Sequence, residues 1–117
     1  MERIALTSSL GKLLDWCMKQ GATDLHAQAD RRYSFRVDGK LRRIPPEQFT
    51  VPTNDGIVEM LREAFSSSIH DRIEKQPEMD LSFLCDLGDR QVLRRQWEPT
   101  GNGNARLRVF HARYPQT

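Results

Sequence analysis

Leu10, Leu13, Leu14, Cys17 and Met18 recur at three- and four-residue spacing and stop at Gly21. That period predicts a first helix, capped at Thr7 or Ser8, with one stripe laid on a sheet. Beyond Gly21 the period shortens. Asp24, Leu25 and His26 begin an extended run, and Tyr33 to Val37 and Lys40 to Ile44 alternate on either side of Asp38-Gly39. Asp-Gly supplies the positive backbone angles of a type I′ turn, so the two runs are read as a hairpin with which the earlier run pairs.

Pro45-Pro46 and Pro52 mark a turn and an extended connector, because proline fixes φ and removes a donor. Thr53 or Asn54 then caps a second helix bearing Ile57, Met60, Leu61, Ala64 and Phe65 on one side. Ser67 or Ser68 caps a third, shorter helix running toward Lys75, and Pro77 ends it. The rest reads as strand. Met79 to Cys85 alternates, Leu87-Gly88-Asp89 turns into Gln91 to Trp97, and Thr100 to Asn104 turns into Ala105 to Tyr114. Runs of strands on either side of the second and third helices predict an α+β domain, an antiparallel sheet with helices packed on one side.

The chain has 117 residues, enough for one modest core. Its 38% hydrophobic and 29% charged residues are those of an ordinary globular domain, not of a disordered segment. Lys+Arg 18 against Asp+Glu 16 leaves a formal net charge of +2, so bulk charge does not argue for nucleic acid. No run approaches the roughly 20 apolar residues of a membrane helix, and the N-terminus lacks the apolar stretch of a signal peptide. A cytosolic location is the expectation. Cys17 and Cys85 lack CxxC spacing and read as buried free thiols without chemistry.

Catalytic arrangements are absent at the level of residue types. There is no G-x-x-x-x-G-K-[ST], hence no backbone cradle for nucleotide phosphates. His26, His70 and His111 have no partner at metal-ligand spacing, so no metal site is expected. Ser66 to Ser68 beside His70 reads as a cap and loop before it reads as a nucleophile and base. On a strand, His26 shares a face with Asp24, which favours a structural hydrogen bond over the alternative of an interface position. Trp16 lies off the helical stripe and is read as a half-buried edge residue or a contact for a neighbour. Arginines crowd the second half: Arg94, Arg95, Arg106, Arg108 and Arg113 fall on two strands expected to pair. Such crowding is either solvated and paired with Asp80, Asp86 and Glu98, or gathered around an anion.

Gly21-Ala22-Thr23-Asp24-Leu25-His26, then Phe35-Arg36-Val37-Asp38-Gly39, then Ile69 to Phe83 with its Asp80-Leu81-Ser82-Phe83, occur in the order and spacing of one family. In these blocks the chain resembles the N-terminal domain of the PilT-type secretion ATPases, which serve type IV pilus retraction, type II and type IVB secretion, and conjugative transfer. The resemblance implies a PAS-like domain over 1–114, with 115–117 as the start of a linker to a C-terminal P-loop ATPase domain. It also implies a hexameric ring, ATP and Mg2+ in the longer parent but no cofactor in this segment, and inactivity of the segment alone. Implied partners are the chain's own ATPase domain, neighbouring subunits and the inner-membrane platform, at a cytoplasmic location peripheral to the bacterial inner membrane, with nucleic acid not expected. Family arginines that reach ATP phosphates correspond to Arg94, in Leu93-Arg94-Arg95-Gln96, and to Arg108, or Arg106 if the register slips. Arg113 is a further candidate, since His111-Ala112-Arg113-Tyr114-Pro115 stands where relatives have an Arg-Thr-Ile-Pro ending. Asp24, His26 and Trp16 become candidate interface residues. The competing reading is a free-standing nucleic-acid-binding or sensory domain whose arginines, beside Trp97, Phe110 and Tyr114, meet phosphates directly.

Overall fold

Ser8 opens helix α1 (Ser9–Lys19) by accepting a hydrogen bond from the Gly11 N–H at 3.0 Å. The helix ends in a left-handed residue, Gly21 at φ +79°, whose N–H reaches the Met18 carbonyl while Ala22 N–H reaches that of Cys17. This pair of bonds is the Schellman closure, and it accounts for glycine at the stop position. The computed structural model describes residues 2–71, 78–85, 90–97 and 105–111, with side-chain packing for 3–71, Arg108 and Val109.

Seven strands form one sheet: β1 (Glu2–Ile4), β2 (Asp24–Gln28), β3 (Ser34–Val37), β4 (Lys40–Arg43), β5 (Glu78–Cys85), β6 (Arg90–Trp97) and β7 (Ala105–His111), in spatial order β1-β5-β6-β7-β2-β3-β4. Every pairing is antiparallel except β1 with β5, which is parallel. The Asp38-Gly39 turn is as expected, with φ of 51° and 78° and Val37 opposite Lys40. Thr53 caps helix α2 (Asn54–Ala64) through the Gly56 N–H at 2.9 Å.

The core lies on one face of the sheet. Leu25 is opposite Phe35 on one side and Val109 on the other, and all three are buried with Leu10, Leu13, Leu14 and Cys17 of α1 and Ile57, Met60 and Leu61 of α2. Burying each such side chain contributes about 1.5–3 kcal/mol before conformational entropy is charged against it. Both helices therefore cover the same face, and the alternate residues of β2, β3 and β7 are left on the other. The architecture is α+β.

Several local expectations shift. The first strand, Glu2–Ile4, was not foreseen: three residues carry too little alternation, and their partner is Phe83 to Cys85 far along the chain. The cap after α2 is Ser66 rather than Ser67 or Ser68, and it opens a 3-10 turn at Ser67–Ile69. The continuation of that helix toward Lys75 and the turns at 86–89 and 98–104 lie outside the described residues, as do 112–117. Strand β6 begins one residue earlier than expected, at Arg90. On β4, Leu41 is 55% exposed because it is opposite Arg36, on the helix-free face.

Candidate functional site

Strand β2 is an interior strand of the sheet, between β3 and β7, and its even-numbered residues occupy the helix-free face. Asp24 begins it. Its side chain is only 3% exposed, unusual for a carboxylate, so its oxygens need partners from the protein. Thr23 Oγ1 donates to Oδ1 at 2.9 Å, His26 Nε2 lies 2.6 Å from Oδ2, and Arg108 Nε donates to the same Oδ2 at 3.2 Å. The Arg36 Nε is 3.8 Å from Oδ1, an ion-pair distance that adds charge without a hydrogen bond.

Burial pushes the Asp24 carboxyl up, but the hydrogen bonds from Thr23 and His26 and the charges of His26 and Arg108 outweigh it. The result is a pKa below the ordinary carboxylate value of 3.8. An ionised carboxylate only accepts, so the proton in the short His26 contact sits on Nε2. With both oxygens committed to donors, Asp24 is not a general base; it fixes the positions of His26 and Arg108 on adjoining strands.

The expected arginine pair acquires a register. Arg108 on β7 is opposite His26 on β2 and Arg94 on β6, and Arg94 is in turn opposite Asp80 on β5. Arg106 occupies a separate row, opposite Gln28 and Gln96. Arg113 lies outside the described residues. The pairing of Arg108 with Asp24 differs from the ordinary partners weighed for these arginines, Asp80, Asp86 and Glu98. Sequence alone did not find it, because it depends on which residues of β2 and β7 face each other; Arg36, opposite Asp24 on β3, was missed for the same reason.

Trp16 is half-buried on α1 and meets Phe35 edge-on at 5.3 Å between ring centres and Phe49 at 6.1 Å. It packs against the core, apart from the Asp24 group. His70 is engaged at the end of α2, with Nε2 2.9 Å from the carbonyls of both Arg62 and Phe65, while Ser66 and Ser68 share a hydroxyl contact of 2.8 Å. His70 thus serves as a helix C-terminal cap. Among the described residues no three His, Cys, Asp or Glu side chains are grouped to hold a metal ion, and no helix is long and apolar enough to cross a membrane.

No family model and no curated protein matches the chain. Solved structures do. A crystal structure of the pilus retraction motor PilT with bound ADP superposes with a TM-score of 0.71 at 17% identity, covering 94% of this chain and 30% of that one. The Legionella pneumophila ATPase DotB superposes with a TM-score of 0.66 at 12% identity, covering 87% of this chain and 28% of its own. The chain therefore has the fold of a segment of these two proteins and spans less than a third of either. This agrees with the group of ATPases to which the blocks around Asp24, Phe35 and Asp80 are similar.

Proposed function

We propose that the chain is the regulatory, nucleotide-sensing domain of a secretion, conjugation or pilus retraction ATPase. In this reading it is PAS-like and sits in a cytoplasmic homohexamer against the inner-membrane platform. ATP and Mg2+ are held by a P-loop domain elsewhere in the longer protein. The chain contributes arginines to the ATP phosphates and couples hydrolysis to a movement of the domain. Alone it has no P-loop and no turnover.

The observation that carries the reading is the fold likeness to PilT over 94% of the chain, in a structure with bound ADP. The placement of Arg94 and Arg108 opposite each other on neighbouring strands supports it. Arginines in register on neighbouring strands repel unless an anion or a carboxylate offsets them, and planar guanidinium suits two-point contact with phosphate oxygens. Asp24 supplies the resting counter-charge to Arg108.

The test begins with the gene beyond the Thr117 codon. The reading expects the frame to continue into G-x-x-x-x-G-K-[ST]; a stop codon there would overturn it. In the full-length product, Arg94→Ala and Arg108→Ala each lower ATP turnover by about 10³-fold or more, as for other phosphate-contacting arginines. Because Arg108 also holds Asp24, the melting temperature is recorded beside turnover, and a loss of turnover in the folded variants is the supporting result. Wild-type turnover in both variants would overturn the arginine role.

A further inference from the structure

A concave feature lies on the helix-free face, beyond His26 on the side away from β7. There the open face of β2, β3 and β4 and the segment 29–33 enclose a groove of about 270 Å³. Its lining includes His26, Arg31, Arg32, Ser34, Arg36 and Leu41, and no acidic side chain contributes to it among the described residues.

Three guanidinium groups converge on this space. Arg32 is fixed by its Nε–H donating to the Ile44 carbonyl at 3.1 Å, and Arg36 by an Nη1–H donating to the Gly39 carbonyl at 3.3 Å. Both bonds are to backbone: that of Arg32 brings no counter-charge, and Arg36 has the Asp24 carboxylate only at 3.8 Å. Asp24, the nearest buried carboxylate, is already shared by His26 and Arg108. Gathering three like charges around one cavity costs free energy, which an anion in the cavity recovers. The floor is not wholly polar. Leu41, the large hydrophobic residue that is exposed among the described ones, lies at its edge. A groove of this volume is at the small end of ligand sites and suits a small molecule.

We infer that this groove binds a small phosphate ester, its phosphate held by Arg31, Arg32 and Arg36 and its organic part laid over Leu41. The groove shares His26 with the row of Arg94 and Arg108 but neither of those arginines, so binding here is tested separately from the proposed function.

The experiment titrates the 117-residue chain with inorganic phosphate and with AMP, following amide chemical shifts and heats of binding. The expected result is saturable AMP binding with Kd of about 1 mM or tighter, shifts concentrated at 26–36 and Leu41, and weaker binding of inorganic phosphate. Arg31→Ala removes a guanidinium that makes no other side-chain contact among the described residues, so the fold is retained and the affinity falls about tenfold. Leu41→Ser brings AMP down to the level of inorganic phosphate. Lys12→Ala, an equal change of charge on α1, leaves the affinity unchanged. Absence of saturation, equal loss in Lys12→Ala, or shifts centred on Arg94 and Arg108 instead would each overturn the assignment.

Discussion

Arg108 on β7 donates its Nε–H to Asp24 Oδ2 on β2 at 3.2 Å, joining residues 84 positions apart in the chain. The carboxylate is buried while the Arg108 side chain remains 37% exposed, so the two ends of the contact weigh differently. Asp24→Asn turns one of the two acceptor oxygens into an N–H donor facing groups that themselves donate, and removes the charge, whereas removing Arg108 leaves Thr23 and His26 in place. Asp24→Asn is expected to cost about 2 kcal/mol in urea denaturation, and Arg108→Gln about 1 kcal/mol. A double-mutant cycle between them returns a coupling of about 1 kcal/mol; strict additivity would mean that the contact is not formed in solution.

The same carboxylate gives stability a pH dependence of known sign. Its folded pKa lies below the ordinary value of 3.8, so the unfolded chain binds the proton first. The contribution is complete above the unfolded value and is lost as pH falls through the depressed folded value. Unfolding midpoints measured from pH 7 downward should therefore drop more steeply for the wild type than for Asp24→Asn, the two curves converging at the acid end. Parallel curves would show that Asp24 titrates normally.

Gly11 lies inside α1, where alanine would improve helix propensity by up to about 1 kcal/mol. A Cβ there would stand 2.1 Å from the Ala5 carbonyl oxygen and 2.8 Å from Leu6 Cα, both backbone atoms that cannot rotate away. The clash is the larger effect. Gly11→Ala should lower stability by about 1–3 kcal/mol, read as a drop in melting temperature. A variant as stable as the parent would show that the 5–6 segment yields without cost.

Cys17 is buried in the core, and desolvation pushes its thiol up to about 12. The thiolate that alkylating reagents require is then scarce at neutral pH. Peptide mapping after an iodoacetamide pulse is expected to find Cys17 unmodified in the native protein and modified in denaturant. Labelling at native conditions comparable to that of a free peptide would contradict the burial.

What the chain discloses before folding is governed by distance along it. Gly21, Asp38-Gly39 and the caps at Ser8 and Thr53 act within a few residues, and each was legible from residue type and spacing. So was the common face of Asp24 and His26, which follows from strand alternation alone. The partners of Asp24 across the sheet were not, since Arg36 and Arg108 reach it only through the registers of β2 with β3 and β7. Nor was the exposure of Leu41 legible, since it follows from the register that sets it opposite Arg36 on the open face. Glycine in a helix gave no warning of the Ala5 carbonyl beside it.

The interior position of β2, between β3 and β7, carries a consequence for how the chain is made. On one side it pairs with β3, which leaves the ribosome within about ten residues of it; on the other it waits for β7, the last strand of the sheet. Until Ala105–His111 emerges, one edge of β2 is unpaired and Leu25 lacks Val109. Such an edge invites pairing with another nascent chain. Closure by the final strand therefore makes folding a late, concerted event, and a product truncated before Ala105 would expose an aggregation-prone seam.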